Sequence, residues 1–359
     1  MKQRIQSIQA LRGIAALLVV ICHAGTMFEA YSKRFGLSFP PFYSLLWIDL
    51  GACGVDIFFV ISGFIMAYVA WEHFGEKGYP KTFFIHRLIR IVPIYWVCTT
   101  VMAICFLWIP SLIQSGRSTS LVHILCSYFF IPHSDHGDRH PILGVGWSLN
   151  YEMFFYLIFT IFLPLRRMWA LTAIATTLVA VVLLGIFTYQ WFLSSTVILE
   201  FGYGILLGIV FRKNASGLSF RFAPIFNRSL FLGGFALLGL LLTHFGFPSD
   251  LIRGFLVGIP SLLIVLGTLG WEDHRIPNGL IRLGNASYSL YLTHFFIGVA
   301  IARVWVRLLP HAPSWALTLL MIFIPCGIAL LCYDRFELPL TRALSKWSKS
   351  SHISRARNS

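Results

Sequence analysis

Apolar runs long enough to cross a bilayer follow one another along nearly the whole chain, with only short polar segments between them. One crossing takes about 20 predominantly apolar residues. Such runs fall at 11–29, 45–70, 88–109, 144–164, 169–187, 193–211, 229–246, 251–270, 284–308 and 315–334. The fold class this predicts is an all-α integral membrane protein with about ten transmembrane helices. Composition agrees: charged residues make up 12% of the chain, against about 25% in soluble domains. That is too little charge to cover a water-facing surface of this size, so lipid must cover it.

The basic residues orient the chain. With the N-terminus inside, the inner segments hold 21 of the 28 Lys and Arg residues, and the outer side keeps Lys33, Arg34, Arg117, Arg139, Arg253, Arg303 and Arg307. The positive-inside rule expects that asymmetry, with both termini cytoplasmic. The net charge of +14 therefore reads as topology and lipid contact, not as a nucleic-acid face. Lys2 and Arg4 before an apolar run resemble a signal peptide, but Arg12 and His23 interrupt the pattern, so the first span is read as uncleaved. The seven cysteines show no paired spacing and are taken as packing residues. The outer-loop run His133, Asp135, His136, Asp138, Arg139 and His140 fits no standard metal-ligand spacing and is read as a solvated loop, with no metal site expected. Residues 341–359 are expected to form a disordered basic cytoplasmic tail near anionic lipid, after a membrane domain over 1–340.

Ionisable residues at membrane depth are the informative ones, because each is costly there unless paired or facing a cavity. Arg12 and His23 are eleven residues apart, which brings them to one helix face about 16 Å apart along the axis. The bland alternative is a boundary arginine and a histidine bonded to a neighbouring helix. Asn150 and Glu152 stand at the start of the fourth span, near the outer face, and the carboxylate needs a partner; His23 would suit it, unless Glu152 simply stays wet. Asp56, in the run Gly54–Phe64, reads as structural, and Ser62 and Gly63 as a close helix contact. Arg87 and Arg90 share a helix face at the cytoplasmic start of the third span, as phosphate ligands or as topology anchors. Ser287, Tyr291 and His294 form a polar stripe on the ninth span.

Together these pieces resemble the acyltransferase-3 family of bacterial polytopic membrane O-acyltransferases, especially the single-domain, exopolysaccharide-modifying type. The matching elements are Arg12 with His23, the GVDIFFVISGF run holding Asp56, Arg87 and Arg90 before Pro93, GWSLNYEMFFY holding Glu152, SYSLYLTH ending at His294, and FELP ending at Pro339. They extend from Ile8 to Pro339 in the family's order. The resemblance implies a multi-pass protein of the bacterial inner membrane. It would move an acyl group, most often acetyl, from cytoplasmic acyl-CoA (acetyl-CoA) to a hydroxyl of an exopolysaccharide or its lipid-linked sugar precursor. It also implies a carbohydrate acceptor, contact with the lipid bilayer, and polysaccharide-assembly proteins as partners.

On that reading Arg12, Arg87 and Arg90 hold the donor's phosphates. His23 is the base or the acyl carrier, and Glu152 orients it. A transporter or flippase for a lipid-linked saccharide is the competing class, since embedded His, Glu and Arg also suit a proton-coupled carrier. No repeated halves support that alternative.

Overall fold

The structure is a computed structural model describing residues 5–35, 45–108, 120–135, 137–214, 224–271, 276–309 and 313–357. Parts of the two long loops expected on the outer side (36–44 and 109–119) and His136 lie outside the described residues, as do the side chains of Lys33 and Arg34. The helices in chain order are α1 (Gln6–Phe35), α2 (Leu45–Ala52), α3 (Gly54–Ala70), α4 (Tyr79–Trp108), α5 (Leu121–Tyr128), α6 (Trp147–Phe162), α7 (Arg167–Phe187) and α8 (Leu199–Asn214). They continue with α9 (Pro224–Phe245), α10 (Asp250–Leu256), α11 (Gly258–Leu269), α12 (Asn278–Asn285), α13 (Ser287–Leu308), α14 (Ser314–Cys332) and α15 (Leu338–Arg357). Among the described residues there is no strand, only an isolated bridge between Asp135 and Asp138.

Among the described residues, eight helical stretches are long and apolar enough to cross a membrane. The other two expected spans fold as α6 and α8, each of 16 residues and each preceded by a turn of 3-10 helix, Gly144–Gly146 and Thr196–Ile198. Sixteen residues of α-helix measure only about 24 Å, against about 30 Å of hydrocarbon. Large apolar side chains such as Trp169 (71% exposed), Phe187 (78%) and Leu240 (68%) point outward, a surface that lipid stabilises and water would not.

The chain divides into two compact units, Met1–Phe74 with Arg167–Leu330, and Gly75–Arg166 with Leu331–Ser359. In the first unit, α3 and α8 run side by side in the same direction, because glycines let their backbones meet. A methyl group on Gly63 would overlap the Phe201 carbonyl oxygen, and one on Gly204 would overlap that of Val60. This is the close contact expected at Gly63, and it is the way membrane helices associate where no hydrophobic drive exists between them. About two turns beyond, the Arg212 guanidinium donates to the Tyr68 carbonyl at 2.9 Å and covers its ring at 4.4 Å. The buried core around this seam includes Leu11, Ala15, Ile57, Val60, Phe64 and Ile264.

In the second unit, α4 and α6 are antiparallel. Phe83 stacks on Phe159 with ring centroids 5.3 Å apart, Arg87 lies over the Tyr156 ring, and Tyr95 fills the space beside Gly146. Helix α5 is pinned to α4 by Tyr95 Oη donating to the Ser127 carbonyl and Trp96 Nε1 to the Tyr128 carbonyl, both at 2.9 Å. Between α14 and α15 the chain makes a turn of π-helix, Tyr333–Glu337. The cause is steric: the ring of Pro339 would clash with the carbonyl four residues earlier, and a π-bulge relieves that clash without ending the helix. Helix α15 then continues to Arg357, so the described part of the basic tail, expected to be disordered from Thr341, is helical. Its sequence after Pro339 contains neither Gly nor Pro to stop it.

Candidate functional site

His23 and His294 meet within the first unit. They stand on α1 and α13, which run parallel: Arg12 Nη2 donates to Ser287 Oγ at 2.9 Å, and eleven residues further along α1 the His23 ring reaches His294, seven residues along α13. The sequence stripe Ser287–Tyr291–His294 is therefore the face that receives the Arg12–His23 face. Arg12 also donates to Gln9 Oε1 at 3.1 Å. The Tyr291 ring lies between His294, at 6.2 Å between centroids, and Phe58, at 6.4 Å.

The hydrogen bonds of the pair fix where its protons sit. His294 Nδ1 is 2.9 Å from the Leu290 carbonyl oxygen, which can only accept, so Nδ1 carries the hydrogen. Nε2 of a neutral His294 is then a lone pair. It faces His23 Nδ1 at 3.1 Å, and that same Nδ1 is 3.1 Å from the Val19 carbonyl oxygen. Two acceptors on one nitrogen require it to be the protonated one. His23 Nε2 is left with its lone pair, the form in which an imidazole takes a proton. His294 is 3% exposed and His23 is half-buried.

A second polar cluster lies in the second unit. Glu152 accepts a short hydrogen bond from Tyr156 Oη, and Arg87 has Arg90, Tyr156 and Glu152 among its electrostatic neighbours. The Arg87 guanidinium sits 5.2 Å from the Phe83 ring centroid and 5.9 Å from that of Tyr156, and its Nε is buried with no hydrogen-bond partner. Because α6 begins beside Tyr95, well inside α4, Glu152 falls level with Arg90. It does not sit near the Trp108 end of α4, the end expected to be outer, where the sequence puts it. Asn150 is buried, with Oδ1 unpartnered. His23 and Glu152, expected to pair, belong to different units.

Asp56 belongs to a cluster that sequence reading only half finds. Both its oxygens accept from Arg253, at 2.8 and 2.7 Å, and the two residues are 0% and 6% exposed. Glu200, fully buried on α8, is an electrostatic neighbour of both. Read from sequence, Arg253 counts among the outer topology residues and Glu200 is passed over. The signal that finds them is the one used for His23: each is ionisable and lies inside an apolar span. The seven cysteines are free.

The family model described as an acyltransferase domain matches residues 5–334. The exopolysaccharide production protein ExoZ of Rhizobium meliloti (strain 1021) is 36% identical over 315 residues, covering 82% of this chain and 90% of that protein. The acyltransferase MdmB of Streptomyces mycarofaciens is 26% identical, over 96% of this chain and 93% of its own. The peptidoglycan O-acetyltransferase OatA of Listeria monocytogenes is 27% identical over 47% of this chain and 25% of its own length. No solved structure matches.

Proposed function

The chain belongs to the acyltransferase family, and we propose that it transfers an acyl group, most simply acetyl, from cytoplasmic acyl-CoA to a hydroxyl of an exopolysaccharide or of its lipid-linked sugar precursor. The observation that carries this reading is the His23–His294 pair, with the lone pair of His23 Nε2 uncommitted among the described residues of an acyltransferase domain. The relatives' names supply the acceptor class: one is an exopolysaccharide production protein and another a peptidoglycan O-acetyltransferase. The ten-span topology with both ends in the cytoplasm, in a bacterial cytoplasmic membrane, belongs to the same proposal. It is supported by the basic-residue asymmetry and by the shared direction of α3 with α8 and of α1 with α13.

His23 Nε2 takes the proton from the acceptor hydroxyl as its oxygen attacks the thioester carbonyl. The C–S bond then breaks, and the departing CoA thiolate recovers a proton from the imidazolium. His294 is a positioning residue: its Nε2 holds His23 Nδ1–H and stabilises the charge that forms on the ring, as a carboxylate does in hydrolase triads. Arg87 and Arg90 grip the donor's phosphates, which fits a guanidinium Nε that is buried without a protein partner. Glu152 keeps the arginine cluster ordered through Tyr156.

Incubating the detergent-purified chain with isotope-labelled acetyl-CoA and surface polysaccharide tests this. Label is expected in the polysaccharide as ester released by mild base. A carrier of lipid-linked sugar would move saccharide and incorporate no label.

A further inference from the structure

The segment between α4 and α6 holds three side chains that acyl transfer leaves unused. His123 stands on α5 and is 3% exposed; His133 and Asp135 follow in the loop after it. One potential ligand atom from each lies within 4.8 Å of the other two. His123 Nδ1 is buried and has no hydrogen-bond partner, although leaving a polar atom unpaired away from water costs about 1–3 kcal/mol. The His123 and His133 rings are 5.7 Å apart and tilted by 48°, so stacking does not account for their approach.

The surroundings fix this cluster. Ser120 caps α5 by accepting from the His123 backbone N–H at 3.2 Å, and the same hydroxyl donates to Asp135 Oδ2 at 2.5 Å. One serine thus ties the helix start to the carboxylate. Asp135 and Asp138 exchange two backbone hydrogen bonds of 3.0 Å, closing a tight turn that Gly137 completes at φ +87°. One turn further along α5, Ser127 Oγ donates to the His123 carbonyl at 2.8 Å and accepts from the Ile142 N–H at 3.0 Å.

We propose that His123, His133 and Asp135 form a binding site for a divalent transition-metal ion of the zinc type, which would staple this loop to α5. Two imidazoles and a carboxylate are a donor set such ions take, leaving a further position for water. Three atoms no more than 4.8 Å apart all lie within about 2.8 Å of some common point. Zinc requires roughly 2.0–2.2 Å, so side-chain rotation of less than about 1 Å per ligand closes the site. Ser120 supplies the hydrogen bond that orients a ligating carboxylate. The ion takes no part in the acyl-transfer steps. Sequence reading misses the site because it considers only the contiguous run from His133, whereas the buried ligand lies ten residues earlier on a helix.

The test uses the full chain, purified in detergent through a tag without histidines, stripped with EDTA and titrated with Zn²⁺, with Mg²⁺ as the control ion. One equivalent of zinc is expected to bind with a Kd below about 1 μM, and Mg²⁺ is expected not to compete. His133→Ala and Asp135→Asn, in a partly exposed loop where folding is least at risk, are each expected to weaken binding at least about tenfold. His140→Ala, an exposed residue paired with Asp138, is expected to leave it unchanged. Co²⁺ in place of Zn²⁺ should give visible d–d absorption that the His133 and Asp135 variants lose. Absence of stoichiometric zinc in the wild type, or zinc binding indifferent to both loop variants, overturns the proposal.

Discussion

Replacing His294 by leucine isolates the contribution of the second histidine. The substitution keeps bulk and removes the one acceptor that faces His23 Nδ1 from another helix, at 3.1 Å; the Val19 carbonyl remains as the other acceptor. The tautomer of His23 therefore survives, and what is lost is a hydrogen bond to the ring once it is charged. Hydrogen bonds to charged groups contribute about 1.5–3 kcal/mol, and each 1.36 kcal/mol is a factor of ten in rate. The expected fall in kcat is thus about 10- to 150-fold, with the KM for acyl-CoA unchanged because His294 does not touch the donor's phosphates. His294→Gln places an amide oxygen near the position of Nε2 and is expected to recover most of the loss. Label transfer from acetyl-CoA in membrane vesicles measures both parameters, with protein level checked by immunoblot. A His294→Leu variant with kcat within about twofold of wild type would refute the positioning role, as would a His294→Gln variant no better than leucine.

Three further outcomes are expected. Arg87→Ala with Arg90→Ala should raise the KM for acyl-CoA at least about tenfold while changing kcat little, since phosphate contacts are made equally in ground and transition states; steady-state kinetics over donor concentration decide it. Arg253→Met leaves the Asp56 carboxylate buried alone and should cost about 3–5 kcal/mol, whereas Asp56→Leu combined with Arg253→Met should regain most of that; thermal unfolding in detergent measures both. Gly63→Leu should break the α3–α8 seam, because the Phe201 carbonyl oxygen already occupies the space of its first carbon, and loss of a monodisperse gel-filtration peak would show it.

Much of this architecture is legible in the sequence because lipid imposes simple rules. Run length places the spans, and the eleven-residue spacing of Arg12 and His23 places both on one face, where α13 meets them at Ser287 and His294. The polar stripe of α13 is visible for the same reason, but that the stripe and the face belong together is not. Helix pairing is decided by small residues and by partners far along the chain: Asp56 and Arg253 are 197 positions apart, and nothing local in either segment names the other. Depth is also hidden. Glu152 looks interfacial because it follows a loop, but the 3-10 turn at Gly144–Gly146 starts α6 beside Tyr95, carrying Glu152 down to the level of Arg90. The helical tail after Pro339 differs from expectation because a π-turn absorbs the proline that would otherwise end α14.

The most direct test of the central claim, that the His23 imidazole carries the acceptor's proton, is chemical rescue. His23→Ala membranes, with normal protein level, are assayed for label transfer with and without free imidazole. Transfer is expected to fall by at least about 100-fold and to return in part as imidazole is added. Activity in His23→Ala equal to wild type, with no imidazole present, contradicts the claim.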